Sequence, residues 1–416
     1  MILACVMSLM MAGSAFADVV PVKVLDTATA AAMAAGSVTS GGNTTDGNGT
    51  QIIDATNTGN SNAGGPMAGG ASAPATGGVQ ASTAFASNVY GTPVNGYYFD
   101  AVTTYTYQNL VQDLNTLKAQ YGVAVNSLAT TADGRSIFHV MVGNPNAKHR
   151  ILVIGSIHAR EYMTSQLVMR QLGKLLRENA SGETYKSTSA KAMLQDMCIH
   201  FIPMVNPDGA TLSQFGLNGI QNPNLRQQVQ NIMLKDQQRT NYVGDTEWFY
   251  RRWKNNLNGV DVNRQFPLGW EGLNDKVYQP SFQFYKGSAP LVETEAKAIA
   301  NILYQYKFDE ILNFHAQGGV IYWSYSGADA GINFRSKTMA DIVAADTGYK
   351  LATKSAAEDG SPTAGYKEFA SSMGVPAITV EIGYGDCPVP ETQIMTIWAK
   401  HQHVLEDLMT ELSTQP

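Results

Sequence analysis

Residues 150–161 read Arg-Ile-Leu-Val-Ile-Gly-Ser-Ile-His-Ala-Arg-Glu, a short apolar run followed at once by polar side chains. The run from Ile151 to Ile154 is typical of a strand that is buried on both faces of a sheet, and Gly155 ends it. Apolar residues then recur at helical spacing from Met163 to Leu176, so the sequence predicts a turn from strand into helix. Open α/β folds place their ligands at such corners, beyond the carboxyl ends of the strands.

Two side chains at this corner have the chemistry of metal ligands. His158 and Glu161 are three positions apart, so an imidazole and a carboxylate can face the same point beyond the strand. They could hold zinc if a third ligand arrives from elsewhere in the chain. Taken alone, the pair has two non-functional interpretations: the spacing arose by chance, or His158 is a core histidine with a satisfied hydrogen bond. The polar groups found farther along the chain favour the metal site.

The composition indicates a globular protein with one large core. The chain has 416 residues, 44% of them hydrophobic, and 28 Lys and Arg against 34 Asp and Glu. A net charge of −6 without any basic block argues against nucleic-acid binding, because no patch could neutralise phosphates. The three cysteines (Cys5, Cys198 and Cys387) do not form a disulfide framework, and whether Cys198 pairs with Cys387 stays open.

The first 87 residues differ in composition from the rest. Residues 1–17 form an apolar leader that ends in Ser14-Ala-Phe-Ala17, a small-residue cleavage pattern, so we expect a signal peptide and a secreted or cell-envelope protein. The alternative is a buried N-terminal helix. Residues 18–87 are rich in Ala, Gly, Ser, Thr and Asn, which predicts a flexible low-complexity spacer. No later run reaches membrane-spanning length.

Residues 88–416 alternate between strand and helix patterns, which predicts one α/β domain with a mixed, mostly parallel sheet. The predicted strands after the first corner are 197–205, 310–314 and 377–382. The predicted helices include 107–121, 296–306, 333–345 and a closing helix over 392–412. Residues 210–250 are polar and patternless apart from a helix near 225–234, so they are interpreted as a long surface excursion.

Further polar groups stand at strand ends where a plain core would not place them. His315 follows the predicted strand 310–314, and Glu381 lies in the mostly apolar predicted strand 377–382. Because burying a carboxylate costs free energy, a glutamate at position 381 favours a functional role. Asp261, Asn263 and Arg264 also stand close together in Gly259-Val-Asp-Val-Asn-Arg264.

The order of these motifs, from about Tyr97 to Leu412, resembles that of the zinc carboxypeptidase family (M14-type metallocarboxypeptidases). The matching motifs are His-x-x-Glu after a strand, Asn206-Pro-Asp-Gly209, Gly259-Val-Asp-Val-Asn-Arg264, a lone His315 and a late Glu381. Three further segments resemble the bacterial branch that cleaves γ-D-glutamyl-diaminopimelate bonds: Trp253-Lys254, Phe314-His-Ala-Gln-Gly318 with Ile321-Tyr-Trp323, and Glu381-Ile-Gly-Tyr-Gly385. The resemblance implies the zinc carboxypeptidase fold, with helices on both faces of the central sheet.

The resemblance also implies the catalytic roles. One Zn²⁺ per chain is expected at His158, Glu161 and His315, three protein ligands that leave a position open for water. Glu381 is expected to be the general base for that zinc-activated water. Asp261 is expected to accept a hydrogen bond from His158 and so fix its tautomer, although an Asp after Gly259 could also be a plain turn residue.

The substrate-binding residues follow from the same resemblance. Asn263 and Arg264 match a clamp for the substrate carboxylate, which a guanidinium can bind in a bidentate manner. Arg252 is the candidate for stabilising the oxyanion, with Arg251 as the alternative because the local register differs from the family pattern. Tyr366 is the nearest candidate for the mobile tyrosine of digestive carboxypeptidases. Gln317 stands where many relatives have tyrosine, which leaves substrate choice open.

These observations predict a secreted zinc-dependent metallopeptidase, a hydrolase that cleaves γ-D-glutamyl–meso-diaminopimelate bonds in peptidoglycan stem peptides. One alternative is a carboxypeptidase that removes C-terminal residues from ordinary peptides. A less favoured one is a non-catalytic protein that binds the cell wall. The expected partners are a peptide or stem-peptide substrate, without nucleic acid or membrane span, and the protein is expected to be a monomer.

Overall fold

The structure, a computed structural model, describes residues 91–242, 244–273, 277–353 and 364–415. The predicted signal peptide (1–17) and spacer (18–87) lie outside these residues. Within the described ranges, no helix combines the length and the apolar character needed to cross a membrane.

An eight-stranded mixed sheet forms the centre of the domain. Its strands are β1 (Val125–Thr130), β2 (Ser136–Gly143), β3 (His149–Ile154), β6 (Met197–Ile202), β7 (Glu310–His315), β8 (Val320–Tyr322), β9 (Lys350–Leu351) and β10 (Ala377–Glu381). A separate two-stranded hairpin consists of β4 (Thr184–Tyr185) and β5 (Thr188–Ser189). The order across the large sheet is β1-β2-β6-β3-β7-β10-β8-β9. The central strands β6, β3, β7 and β10 are parallel to their neighbours in that group, whereas β1–β2, β2–β6 and β8–β10 pair antiparallel.

Strand β3 lies in the middle of the parallel group, and both of its faces are covered. Ile151 and Val153 belong to one hydrophobic cluster, while Leu152 and Ile154 belong to the other. All four side chains are fully buried, as the continuous apolar run predicts for a parallel sheet.

Helices cover both faces of the sheet. They are α1 (Tyr107–Tyr121), α2 (Met163–Ser181), α3 (Ala190–Met193), α4 (Pro207–Phe215), α5 (Pro223–Thr240), α6 (Glu247–Arg251), α7 (Thr294–Gln305), α8 (Ala330–Thr347), α9 (Tyr366–Ser372), α10 (Ile394–His401) and α11 (Val404–Leu412). The cluster on one face includes α1, α2, α3, α8, α10 and α11, and the cluster on the other face includes α7 and α9. The predicted fold class is therefore confirmed.

Two sequence-based interpretations of the helices were wrong. The helix expected near 225–234 is confirmed as α5, but the residues around it are not patternless. Residues 207–251 are mostly helical, because Asn206 and Asn222 cap helices that begin with proline, and α4, α5 and α6 bury an apolar cluster. The closing segment consists of two helices rather than one, since Gln402 and His403 interrupt the helix between α10 and α11. The first correction matters for function, because the excursion ends next to the site.

Candidate active site

Three predicted ligands meet at the carboxyl ends of β3 and β7. Glu161 lies in a 3-10 turn after His158, and His315 is the last residue of β7. The Nδ1 atom of His158 lies 2.8 Å from one Glu161 oxygen, and the Nδ1 atom of His315 lies 3.0 Å from the other. The two Nδ1 atoms are 3.0 Å apart, and all three side chains are buried. Parallel β3 and β7 thus bring together groups that are distant in sequence.

The outer nitrogen of each histidine also has a polar neighbour. His158 Nε2 lies 3.2 Å from an oxygen of Asp261, the contact that the family resemblance implies. His315 Nε2 lies 3.1 Å from the amide nitrogen of Asn313. Asn313 Oδ1 has no hydrogen-bond partner within the described ranges, and a half-turn of the amide would present it to Nε2 as an acceptor. Both rings can therefore carry a proton on Nε2 and turn an unprotonated Nδ1 towards Glu161.

The carboxylates near the histidines are held in their charged form. Burial raises the pKa of Glu161, but the adjacent His158 and His315 outweigh it, so this pKa lies well below its usual range. Burial likewise acts to raise the pKa of Asp261, whereas Lys254, His158 and Arg264 together hold it well below normal. Lys254 Nζ lies 3.3 Å from Asp261 Oδ2, so a cation stabilises the carboxylate that faces His158.

Glu381 is the last residue of β10 and lies in register beside His315. Burial raises its pKa to about 7 and outweighs the lowering by the adjacent His315, while the nearby negative charge of Glu161 adds a smaller rise. Glu381 and the two histidine ligands line the same cavity. A carboxylate with a pKa near neutrality can both accept and return a proton at physiological pH.

The predicted clamp residues, Asn263 and Arg264, line this cavity as well. Arg264 is buried, donates from Nη1 to the carbonyl of Phe284 at 2.8 Å and stacks over the Phe284 ring. Its Nε lies 3.4 Å from Asp261. Asn263 accepts the backbone N–H of Tyr366 at 2.9 Å, which fixes the amide in place.

The structure does not bring Arg252 to the site. Its side chain is one-third exposed (34%), pairs with Asp386 at 3.2 Å and stacks on Trp248, and neither described cavity beside Glu381 includes it. Helix α6 ends at Arg251, an exposed residue, and the following turn points Arg252 outwards.

Two other cations take the place expected for Arg252. Lys254 lines both cavities beside Glu381, and Arg160 lines the outer one together with Gln317. Sequence reasoning passed over both, although Arg160 lies inside the opening motif and Lys254 inside the quoted Trp253-Lys254 pair.

Tyr366, which was predicted to bind substrate, lines neither described cavity beside Glu381. It is fully buried in the cluster under α9, donates its hydroxyl to the carbonyl of Ile299 at 3.2 Å and packs on Phe266. The short helix α9 buries the apolar ring of Tyr366 against the sheet, and the hydroxyl therefore finds its hydrogen-bond partner in α7.

The motif Asn206-Pro-Asp-Gly209 has a structural role that supports the site. Asn206 caps α4 and donates to the carbonyl of Asn255 at 3.2 Å, while Asp208 accepts from buried Arg135 at 2.8 Å. A Cβ on Gly209 would come within 2.8 Å of the Cβ of Ala159, the residue after His158. Only glycine therefore lets α4 approach the turn that carries the first histidine.

The residues present fit a zinc ion. Two imidazole nitrogens and a carboxylate are a zinc donor set, and their ligand atoms lie within 4.8 Å of one another. Tetrahedral zinc with Zn–N distances of about 2.0–2.1 Å would hold two nitrogens roughly 3.3 Å apart. The separation of 3.0 Å between His158 Nδ1 and His315 Nδ1 is close to that value.

Comparisons with known proteins agree with this site. The model of the zinc carboxypeptidase family (peptidase family M14) matches residues 110–403. Gamma-D-glutamyl-L-diamino acid endopeptidase 1 of Lysinibacillus sphaericus is 30% identical over 298 residues, which cover 71% of this chain and 69% of that protein. The uncharacterized protein YqgT of Bacillus subtilis (strain 168) is 26% identical over 278 residues, which cover 66% of this chain and 69% of that protein.

Solved structures share the fold at low sequence identity. Thrombin activatable fibrinolysis inhibitor superposes with a TM-score of 0.56 at 15% identity, covering 77% of this chain and 76% of that one. Carboxypeptidase A from Helicoverpa armigera gives 0.52 at 15% identity, with 74% of each chain covered. These likenesses concern the fold alone. The family match over residues 110–403 carries the conclusion that this chain belongs to the zinc carboxypeptidase family of metallopeptidases.

Proposed function

We propose that this metallopeptidase hydrolyses γ-D-glutamyl–meso-diaminopimelate bonds in peptidoglycan stem peptides. The observation that carries the proposal is one cavity that joins His158, His315, Glu381 and the carboxylate clamp. The choice of bond is supported by the similarity to an endopeptidase whose name specifies γ-D-glutamyl-L-diamino acid substrates.

In this proposal His158, Glu161 and His315 would hold zinc, and the ion would activate a water molecule and polarise the scissile carbonyl. Glu381 takes the proton of the attacking water and returns it to the leaving nitrogen.

The cations of the site have two proposed roles. Arg264, with Asn263, holds the carboxylate that the diamino acid carries next to the scissile bond. Lys254 and Arg160 lie on the side of Glu381 and Gln317, where they can stabilise negative charge that develops on the carbonyl oxygen. Lys254 therefore replaces Arg252 as the favoured oxyanion residue.

The same clamp would fit the C-terminal carboxylate of an ordinary peptide, so a general carboxypeptidase is the second candidate. The solved structures of carboxypeptidase fold favour it only at the level of the fold. A non-catalytic wall-binding role is disfavoured, because such a protein would have no need of a half-buried carboxylate at Glu381 beside the histidines.

A pair of matched substrates separates the two enzymatic candidates. The zinc-loaded protein is incubated with L-Ala-γ-D-Glu-meso-diaminopimelate and with an all-α tripeptide that ends in the same residue, and products are quantified by mass spectrometry. Release of diaminopimelate from the γ-linked tripeptide at a higher kcat/KM is expected. Preference for the all-α peptide would overturn the peptidoglycan assignment and leave the metallopeptidase intact.

We further propose that the enzyme acts outside the cytoplasm, since the leader pattern ending at Ala17 suits export and the proposed substrate lies in the cell wall. N-terminal sequencing of protein from the culture medium or envelope fraction tests this. Retention of residues 1–17 on a cytoplasmic protein would contradict it.

A further inference from the structure

Two oppositely charged side chains form part of the wall of the active-site cavity. Lys367 and Glu368 lie in the first turn of α9, are buried (2% and 4% exposed), and line the cavity that also contains His158, Arg264 and Glu381. None of the catalytic roles above uses them. A fully buried lysine beside a buried glutamate is rare in proteins and invites an explanation.

The backbone holds this pair in a fixed position relative to the clamp. The N–H of Tyr366, one residue earlier, donates to Asn263 Oδ1 at 2.9 Å. A Cβ on Gly365 would come within 2.5 Å of Glu368 Oε2, so the chain passes directly against the carboxylate. The start of α9 and the clamp therefore form one connected wall.

The pair leaves polar capacity unused. Lys367 Nζ donates to the carbonyl of Ser324 at 2.8 Å and lies 2.9 Å from Glu368 Oε1. The contact between Lys367 and Glu368 is an ion pair without hydrogen-bond geometry. Glu368 Oε1 therefore has no hydrogen-bond partner in the parts of the chain that the structure describes. An ammonium has three protons to donate and a carboxylate two oxygens that accept, so both groups can bind a ligand that enters the cavity.

Stability alone does not explain such a pair. Taking two charges out of water costs several kcal/mol for each ion, and replacing buried ion pairs by apolar residues is often neutral or stabilising. A ligand that complements both charges gives the pair a function that apolar residues could not supply.

We propose that Lys367 and Glu368 bind the distal end of a diaminopimelate side chain, with Lys367 facing its carboxylate and Glu368 facing its ammonium. This assignment rests on the proposed function and deepens it, since it names the side chain that the cavity selects. Arg264 then holds the carboxylate next to the scissile bond, and the charge pair binds the second amino-acid head at the far end of the same residue.

The two charges together select against simpler side chains. A lysine residue in the substrate would bring an ammonium to Glu368 but would also place it near the ammonium of Lys367, and like charges repel. An aliphatic side chain would leave both buried charges without a ligand, which costs binding free energy. Only a zwitterionic end satisfies both groups.

The wild-type enzyme tests the inference directly with three γ-D-glutamyl tripeptides that differ only in the last residue. Diaminopimelate carries both distal groups, L-lysine lacks the distal carboxylate, and L-2-aminopimelate lacks the distal ammonium. The kcat/KM for diaminopimelate is expected to exceed each of the others by about tenfold to hundredfold, the range for losing one charge-assisted hydrogen bond. Equal kcat/KM values for diaminopimelate and lysine would overturn the inference.

Variants assign the discrimination to the pair. Lys367→Met should remove most of the preference for diaminopimelate over lysine, mainly through KM, while Lys297→Met on the exposed face of α7 should leave it unchanged. If Lys367 only fastens the backbone at Ser324, the variant would lower the activity on all three substrates by a common factor and keep their ratio. That result would also overturn the inference.

A second variant covers the case in which Lys367→Met fails to fold because it leaves Glu368 buried and unpaired. Lys367→Met/Glu368→Gln removes both charges together and should cleave all three tripeptides with similar kcat/KM. The two hypotheses can fail independently. Comparing the tripeptides that end in lysine and in diaminopimelate tests the recognition of the substrate side chain by Lys367 and Glu368. Comparing the γ-linked and all-α tripeptides tests which peptide bond the enzyme cleaves.

Discussion

A buried carboxylate outside the catalytic centre, Asp236 in α5, is expected to be essential for the stability of the active-site wall. It is fully buried and accepts hydrogen bonds from the backbone N–H of Phe282 at 2.6 Å, from the hydroxyl of Ser281 at 3.0 Å and from Arg239 at 2.8 Å. Through these bonds α5 holds the segment that contains Ser281 and Phe282.

That segment in turn positions two cations of the site. The carbonyl of Phe282 accepts the backbone N–H of Lys254 at 2.8 Å, and the carbonyl of Phe284 accepts Nη1 of Arg264 at 2.8 Å. A displaced segment would therefore disturb both the proposed oxyanion residue and the clamp.

Asp236→Asn keeps the shape of the side chain but removes its charge. One amide oxygen cannot satisfy the three donors, so at least one buried donor loses its partner, which costs about 1–3 kcal/mol. The loss of charge-assisted bonding adds to this, although the part due to Arg239 is small because that side chain is one-third exposed (35%). We expect the free energy of unfolding to fall by about 2–3 kcal/mol in total, set mainly by the buried donor that loses its partner.

Urea denaturation of the zinc-loaded protein measures this loss. The matched control is Asp341→Asn, since Asp341 is half-exposed and pairs with Lys337 at the surface, where a change within about 0.5 kcal/mol is expected. The kcat/KM of the Asp236 variant should also fall, because the segment behind Lys254 and Arg264 is loosened. A loss of stability below about 1 kcal/mol for Asp236→Asn would refute the reasoning.

Three further predictions concern the catalytic base, the metal and the pH dependence of stability. Glu381→Gln should lower kcat by about 10²–10⁴ while zinc content and folding stay unchanged; activity within a few-fold of wild type in metal-loaded protein would assign the base elsewhere. Asp261→Asn should weaken zinc binding by about 10- to 100-fold in chelator competition, because His158 loses its carboxylate partner, and an unchanged affinity would contradict that role. Burial lowers the pKa of His139 to about 4 and of His200 to about 3, below the value of 6.5 for an unfolded chain. Their neutral rings thus contribute full stability above pH ~6.5, and the contribution of each ring to the free energy of unfolding should fall by on the order of 3 kcal/mol as the pH drops towards 4. Denaturation at a series of pH values checks this, and an identical slope in His139→Gln/His200→Gln would argue against the assignment.

The sequence alone predicted the parallel centre of the fold and the metal centre. The apolar run Ile151–Ile154 required burial on both faces, and only a covered parallel sheet provides it. His158, Glu161, His315 and Glu381 could be found because each follows or ends a strand, and the carboxyl ends of parallel strands lie at one edge of a sheet. The resemblance to the zinc carboxypeptidase family then assigned the set to one site before any distance was known, since His158 and Glu161 alone fit a chance spacing as well as a zinc site.

The tertiary structure decided which side chains face the cavity where the backbone is neither strand nor long helix. Arg252 and Lys254 are two positions apart in an irregular turn, and only the contacts of that turn with Asp386 on one side and Asp261 on the other determine which cation points inwards. Around the start of α9, the sequence drew attention to Tyr366, which the sheet buries, and passed over the adjacent Lys367 and Glu368. Periodic patterns encode the burial of regular elements, whereas the direction of a side chain in a turn or a short helix depends on partners that are distant in sequence.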